Sequence, residues 1–190
     1  MQADKIVECI LQAAKELFRR YGYNKTSVNE IAKKAKVAKA TIYKYFESKE
    51  MILHSILMEY IRRSVDDLLH SPEKIEDQEA YLSKLIFKVS RISYTICNEF
   101  IGWDFIRESA NAQEYMKTLS DDLENLLIQS FKESKALKIP TDNLRFLIKS
   151  SKNIVFSFAF TSVSVADVRK NFISFQKDIL PYLIKGAVAK

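Results

Sequence analysis

The amino-acid sequence predicts an all-α fold. Only 3 glycines and 3 prolines occur in 190 residues, too few for the many tight turns of a β-sandwich or barrel. Apolar residues recur at spacings of three and four along most of the chain, as on the buried face of amphipathic helices. With 47% hydrophobic residues, the chain can bury a substantial core. The breaks between the periodic segments predict about nine helices.

The first fifty residues contain three helical segments. The first is predicted from about residue 5 to residue 21, and Gly22 ends it because glycine readily adopts the left-handed conformation after a helix. Ser27 and Glu30 form a capping-box pattern, in which a hydroxyl and a carboxylate satisfy backbone amides at the start of the second helix. The apolar positions from which the third helix is expected to pack are Ala40, Ile42 and Phe46.

The outward face of this third helix carries cations, a hydroxyl and phenols but no carboxylate. Its residues are Lys39, Thr41, Tyr43, Lys44 and Tyr45. A helix-turn-helix places such a helix in the DNA major groove, where side chains reach base edges and phosphates. The charge distribution agrees, because residues 1–50 hold 11 Lys and Arg against 6 Asp and Glu, whereas residues 51–190 hold 19 against 18.

Roughly the first 50 residues resemble the DNA-binding domain of the TetR family of bacterial repressors, whose pattern is an apolar first helix followed by T-x-x-x-I-A-x-x-A-G-V-S-x-G-T-x-Y-x-[HY]-F-x-x-K-E. The matching positions are Ile31, Ala32, Ala35, Val37, Thr41, Tyr43, Tyr45, Phe46, Lys49 and Glu50. The chain departs from the pattern in three places. Lys36 stands at a turn position that is usually glycine, Ala38 replaces a serine that would cap the third helix, and Ala40 replaces a common glycine.

The resemblance implies double-stranded operator DNA as a partner. Lys39 and Lys44 are expected to read base edges, and Tyr43 to contact either a thymine methyl or a phosphate. The expected phosphate contacts are Ser27, Thr41, Tyr45 and Lys49. With these, the candidate DNA-binding residues are Ser27, Lys39, Ala40, Thr41, Tyr43, Lys44, Tyr45 and Lys49.

Beyond residue 50 the sequence predicts further helices separated by polar breaks. Ser48 is placed to cap a helix that ends near residue 69, and the polar segment 70–77 separates two domains. Later helices are predicted at residues 78–100, 113–136, 142–163 and 167–187, with a short segment after Gly102 that runs through residue 109. Their predicted end and start signals are Gly102, Pro140, Thr141, Asp142 and Asp167. The predicted organisation is a helix-turn-helix domain at 1–50, a connecting helix and break at 51–77, and a helical domain at 78–190.

The segment 154–160 is apolar on nearly every side, so it is expected to be buried all round. Either it lies in the core of a monomer or a second subunit covers it. The resemblance implies the second arrangement, because TetR-like proteins form homodimers through their last two helices. The candidate dimer residues are Ile154, Phe158, Phe172, Ile179 and Leu183.

The resemblance also implies a small-molecule effector bound in the C-terminal domain, of unknown identity. The aromatic residues suited to line a pocket are Phe87, Tyr94, Phe100, Trp103, Phe105, Tyr115 and Phe156. Taken individually, each is more readily explained as an ordinary core residue. Glu99 and Asp104, which flank aromatic residues, either hold a cationic ligand or are exposed ends of short helices.

Enzymatic activity has little support in the sequence. His54 and His70 lie 16 residues apart without cysteine or carboxylate at metal-ligand spacing, and neither a glycine-rich phosphate loop nor a nucleophile motif occurs. No metal or other cofactor is therefore expected. Cys9 and Cys97 lie in separate apolar segments and indicate a reducing, cytoplasmic setting. The longest uncharged run, residues 153–166, has 14 residues, short of the roughly 20 that cross a bilayer.

Two functions remain open at this point. The resemblance implies a dimeric, sequence-specific DNA-binding transcriptional regulator, a repressor released by a small-molecule ligand. The alternative is a helical protein-interaction module whose helix-turn-helix no longer reads an operator. Retention of Thr41, Tyr43, Tyr45 and Lys49 favours the regulator.

Overall fold

The computed structural model describes residues 2–69, 77–102, 106, 110–134, 139–162 and 164–188. Across these ranges the backbone forms helices and the turns between them, without a strand, so the predicted all-α class is confirmed. The α-helices are α1 (Gln2–Tyr21), α2 (Val28–Ala35), α3 (Lys39–Tyr45), α4 (Lys49–Leu69), α5 (Gln78–Thr95), α6 (Ala110–Ser134), α7 (Thr141–Thr161), α8 (Val165–Ser174) and α9 (Leu180–Val188).

Two π-helical turns interrupt the regular α-helical pattern. The first, π1 (Ile96–Ile101), continues α5, and the second, π2 (Phe175–Ile179), joins α8 to α9. Gly102 ends π1 with φ of 95°, and its N–H donates to the carbonyl of Cys97, five residues earlier, at 2.8 Å. The positive φ explains why a glycine occupies this end.

Several helix ends lie where the sequence predicted them. Gly22 follows α1 with φ of 84°, and the Ser27–Glu30 capping box is formed at the start of α2. The hydroxyl of Ser48 accepts the N–H of Met51 at 3.3 Å in the first turn of α4. These ends depend on short-range contacts, which the local sequence specifies.

The predicted caps of one later helix and the predicted first residue of the next were wrong. The residue before α7 is Pro140, and neither Thr141 nor Asp142 caps that helix, because both already belong to its first turn. The helix α8 begins at Val165 instead of at Asp167. Ser164 is its N-cap, and Asp167 is the acidic partner of a second capping box.

A continuous apolar core runs through the helices. The helix α1 packs against α2, α4 and π1, while α4 also packs against α5 and α6. The helix α7 packs against α5, α6 and α9. Because α4 contacts α1 on one side and α5 and α6 on the other, it links the N-terminal part of the chain to the C-terminal helices, and its residues Leu53 and Leu57 are buried.

Candidate nucleic-acid interface and cavity

The turn between α2 and α3 depends on Lys36, the residue that stands in place of the family's glycine. Lys36 has φ of 57° and ψ of 39°, in the left-handed region, and its N–H bonds to the carbonyls of Ala32 and Lys33. A residue with a Cβ carries a cost of about 1–2 kcal/mol in this conformation. The next N–H, of Val37, bonds to the carbonyl of Ala32 at 3.0 Å. The turn therefore forms as the family pattern requires, but with strain that glycine would avoid.

The helix α3 is held by two apolar side chains on one side. Ile42 is 1% exposed and Phe46 is 7% exposed, whereas Ala40 is exposed. The expectation that Ala40 packs on α2 was therefore wrong: it lies about 200° around the helix from Ile42. Ala38 is the N-cap and supplies no side-chain hydrogen bond, as its replacement of serine predicted.

The opposite face of α3 presents its cations and phenols to solvent. Lys39, Tyr43 and Lys44 are exposed, and Thr41 and Tyr45 are half-buried. The ammonium of Lys39 lies 5.9 Å from the ring centre of Tyr43, and that of Lys44 lies 5.9 Å from the ring centre of Tyr45. Such cation–aromatic pairs hold the rings and charges on a common surface. This surface, which we call the α3 face, has no carboxylate within the helix.

Ser27, a predicted phosphate contact, is already engaged within the protein. Its hydroxyl donates to the carboxylate of Glu30 at 2.7 Å and accepts the Glu30 N–H at 3.2 Å. Hydrogen bonds from the backbone and hydroxyl of Ser27 lower the pKa of the Glu30 carboxyl. The hydroxyl of Ser27 therefore has no hydrogen left for a phosphate in this arrangement, and a phosphate contact there would use backbone amides at the start of α2.

Lys49 is also bound within the protein. Its ammonium donates to the carbonyls of Tyr23 at 3.0 Å and Thr26 at 2.9 Å, and it lies 4.2 Å from the centre of the Tyr23 ring. Burial lowers the pKa of Lys49. The Tyr23 hydroxyl in turn donates to Glu50 at 2.5 Å, and this bond lowers the pKa of the Glu50 carboxyl. These contacts fasten the α1–α2 loop to the start of α4, which the sequence pattern did not reveal.

The same loop is bonded to π1. The N–H of Tyr23 donates to the carbonyl of Phe100 at 3.2 Å, and the Phe100 ring packs 6.3 Å from that of Tyr60 on α4. An exposed ion pair joins Arg19 on α1 to Glu99 on π1 at 3.0 Å. Glu99 is therefore an exposed, paired residue at the junction between the α2–α3 unit and the C-terminal helices.

Near this junction, a narrow cavity of about 40 Å³ lies between α4, α5, π1, α6 and α7. Its described lining residues are mostly apolar: Ile61, Ser93, Ile96, Cys97, Met116, Leu119, Ser120, Leu123, Lys152, Val155 and Phe156. Burial raises the pKa of the Cys97 thiol to about 12, so the thiol is protonated at neutral pH. The cavity shares π1 with the junction, because Ile96 and Cys97 line it and Phe100 bonds to the loop.

Lys152 lies at the cavity wall in an ion-pair network. Its ammonium is 3.0 Å from a carboxylate oxygen of Glu124 and 3.0 Å from one of Asp121. The other Glu124 oxygen is 3.3 Å from the guanidinium of Arg145. The side chains of Lys152 and Glu124 are only 11% and 10% exposed, so each depends on its partner for compensation of its charge.

Comparison with known proteins matches the N-terminal helices to a family. The sequence profile of bacterial regulatory proteins of the tetR family matches residues 10–56, from the middle of α1 through α3 into α4. The N-terminal helix-turn-helix is therefore that of the tetR family. The turn at Lys36, the α3 face and the bonds of Lys49 are thus features of a TetR-family helix-turn-helix.

Curated relatives match mainly the N-terminal part of the chain. It is 43% identical over 65 residues to YuxN of Bacillus subtilis (strain 168), described as an uncharacterized HTH-type transcriptional regulator. It is 35% identical over 82 residues to the fatty acid metabolism regulator protein of the same organism. The matches cover 34% and 43% of this chain, but only 22% and 41% of those proteins.

Solved structures share the fold along the whole chain. A TetR transcriptional regulator from Rhodococcus sp. RHA1 aligns with a TM-score of 0.63 at 16% identity, covering 100% of this chain and 99% of that one. The regulator FadR of Bacillus subtilis, solved in complex with stearoyl-CoA, aligns with a TM-score of 0.52 at 22% identity, covering 94% and 98%. These similarities confirm the fold, an N-terminal helix-turn-helix followed by a helical C-terminal part.

The aromatic residues predicted to line a ligand pocket are dispersed in this TetR-family fold. Phe156 lines the cavity. Phe100 lies at the junction, and Tyr94 packs against Phe172 at 5.9 Å. Tyr115 packs against His54, and Phe87 is exposed on α5. Trp103 and Phe105, with Asp104, lie outside the described residues.

The predicted dimer residues lie on α7, α8, π2 and α9. Ile179 is 40% exposed, whereas Ile154, Phe158 and Leu183 are half-buried and Phe172 packs within the chain on Tyr94. Two residues outside this predicted set are more exposed, Phe146 at 60% and Tyr182 at 75%. Their exposure is not apparent from spacing, because Tyr182 continues an apolar run and Phe146 lies beside core residues.

The predictions on metal ligands, membrane-spanning helices and cysteines can be compared only with the described residues. Within them, no group of three metal-binding side chains occurs, and His54 lies 3.5 Å from Asp122 on the neighbouring helix α6. None of the described helices is long and apolar enough to cross a membrane. Cys9 and Cys97 are both free thiols.

Proposed function

We propose that this chain is a dimeric repressor of the TetR family that binds operator DNA in the cytoplasm and releases it when a small molecule occupies the cavity. The observation that carries the proposal is the α3 face. Its cations and phenols are exposed and free of carboxylates, while Ile42 and Phe46 hold the opposite side in the core. A surface of this kind suits the major groove, where phosphates attract cations and base edges accept hydrogen bonds.

The proposed roles on DNA follow from exposure. Lys39 and Lys44 read bases, with guanine O6 and N7 as the favoured acceptors. Tyr43 contacts a thymine methyl or a phosphate, and the half-buried Thr41 and Tyr45 position the helix against the backbone. Ala40, exposed on the α3 face, allows close approach of the helix to the groove.

Exposed apolar side chains on α7, π2 and α9 support a homodimer. Phe146 and Tyr182 are large apolar or aromatic side chains with more than half of their surface exposed, and Ile179 is the last residue of π2, three residues before Tyr182 in α9. Asn143 bonds to the carbonyl of Ala187 at 2.9 Å, so Phe146, one turn beyond Asn143, lies near the end of α9. Burial of these side chains against a second copy removes them from water, and two α3 helices about 34 Å apart then meet successive major-groove turns.

The cavity supports release by a ligand. Its volume of about 40 Å³ is well below the roughly 150 Å³ that accommodates benzene in an engineered protein cavity. A larger ligand therefore binds only if helices move apart, and this gives it different affinities for two conformations. A coupling of about 1.4 kcal/mol is enough for a tenfold loss of operator affinity.

Selection of bound sequences from random DNA tests the proposal. We expect enrichment of a two-fold symmetric site whose half-sites are one helical turn apart. The matched control is a variant with Lys39 and Lys44 both replaced by methionine, which keeps the stems and removes the charges from the α3 face. If wild type enriches no sequence, the chain is instead a helical interaction module and the repressor proposal fails.

A further inference from the structure

We propose that the cavity selects uncharged apolar molecules carrying a hydroxyl and rejects the corresponding carboxylic acids. This rests on the proposed function, which it deepens by naming the chemical class of the effector. The inference depends on the charge balance at the cavity wall, where Lys152 is the charged lining residue among the described ones.

A lone lysine at an apolar cavity would favour an anionic ligand, but neighbouring carboxylates already compensate the positive charge of Lys152. Its three N–H donors face Glu124 at 3.0 Å, Asp121 at 3.0 Å and the carbonyl of Ser120 at 3.5 Å. Arg145 balances the second negative charge through Glu124. The charges of two cations and two carboxylates therefore sum to zero. No hydrogen of the Lys152 ammonium is left for a ligand.

A carboxylate entering this cavity would lose its hydration without gaining a partner. It would also approach Asp121 and Glu124, which carry the same charge. Burial of an ionised group without a compensating charge is strongly unfavourable. The ion-pair network therefore disfavours binding of a carboxylic acid, even though it contains a lysine.

The hydroxyl group of a ligand, unlike a carboxylate, has a hydrogen-bond partner in this cavity. The hydroxyl of Ser93, which lines the cavity, donates to the carbonyl of Val89 at 3.2 Å, so its oxygen can still accept a hydrogen bond. Cys97, also in the wall, is a neutral thiol because burial raises its pKa to about 12. The remaining wall is apolar at Ile96, Leu119 and Phe156, which suits an alkyl chain.

The test compares 1-octanol with octanoate at neutral pH, by isothermal titration calorimetry on the full-length protein. We expect octanol to bind at least tenfold more tightly than octanoate. Glu124→Gln removes one carboxylate facing Lys152, so the ratio of the two affinities should fall at least threefold in favour of octanoate. Glu114→Gln, an exposed carboxylate on the same helix, is the matched control and should leave the ratio unchanged.

A second variant is needed because Glu124 lies in a buried ion pair, so its replacement can destabilise the fold. Asp121→Asn changes a carboxylate whose side chain is 58% exposed, and it should shift the ratio in the same direction. Equal or tighter binding of octanoate by wild type overturns the proposal. So does binding of neither compound, or an unchanged ratio in both carboxylate variants.

Operator release is measured separately with the same compounds. If octanol binds selectively but leaves operator affinity unchanged, the ligand-released repressor fails while the selectivity of the cavity stands. If octanoate alone binds and releases the operator, the regulator stands and the inferred ligand class fails.

Discussion

Replacement of Lys49 by methionine tests whether the Lys49 ammonium stabilises the fold or contacts DNA. Methionine keeps most of the stem but cannot donate to the carbonyls of Tyr23 and Thr26, which lie 3.0 and 2.9 Å from the ammonium. Hydrogen bonds involving a charged group contribute about 1.5–3 kcal/mol each. Because Lys49 is only half-buried, water can replace part of this contribution. We therefore expect the free energy of unfolding to fall by about 2 kcal/mol for the two bonds together.

For a chain of this size, a loss of that magnitude lowers the melting temperature by about 4–8 °C. Urea denaturation with unchanged m-value measures the free energy, and differential scanning calorimetry measures the melting temperature. Binding to non-specific DNA is then titrated with salt. A direct phosphate contact contributes about 0.9 to the log–log slope, so we expect the slope of Lys49→Met to equal that of wild type.

Lys44→Met is the matched control, because Lys44 is exposed on the α3 face. Its free energy of unfolding should change by no more than about 0.5 kcal/mol, while its affinity for DNA falls. The opposite pattern would refute the reasoning: a Lys49→Met protein of full stability with a reduced salt slope means that the ammonium leaves the carbonyls for a phosphate.

Four further predictions follow from single residues. Lys44→Ala should relax the base preference and weaken specific binding by about 1–3 kcal/mol, and an unaltered preference in sequence selection would place the reading face elsewhere. Ala38→Ser should supply the missing N-cap of α3 and raise the free energy of unfolding by about 1 kcal/mol; no gain in urea denaturation would contradict the cap. Ile179→Asp, which puts a charge among the exposed apolar side chains, should shift sedimentation toward monomer and lower operator affinity, whereas a folded mutant that stays dimeric would move the interface. Ser151→Ala should raise the free energy of unfolding by about 1 kcal/mol, since it removes a buried hydroxyl without a hydrogen-bond partner; a loss in the same measurement would reveal a missed partner.

The helix-turn-helix was predictable from sequence because its signals are local. Ser27 and Glu30 lie one turn apart, and Gly22 ends α1 through its own φ angle, so neither depends on distant residues. The first residue of α8 was missed for a local reason as well. Asp167 was predicted to open this helix, although it is the N3 residue of a capping box whose N-cap is Ser164.

The internal bonds of Lys49 and the cavity were not predictable, because they depend on distant segments. Lys49 meets carbonyls 23 and 26 residues away, and Lys152 meets Glu124 on another helix. Aromatic residues were a poor guide to the cavity. Ring size favours burial anywhere in a core, and Phe100 and Tyr94 pack at other contacts.

The π-helical turn π1 has a consequence for sequence alignment within the family. A π-helical turn spans five residues between bonded groups, as the Gly102–Cys97 bond does, whereas an α-helical turn spans four. Deletion of one residue, such as the exposed Asn98, would restore the α-helical phase and rotate Phe100 by about 100° around the helix axis. The carbonyl that receives the Tyr23 N–H would then point away from the loop. Relatives with a one-residue gap here should therefore dock their helix-turn-helix through a different contact, however similar their first fifty residues are.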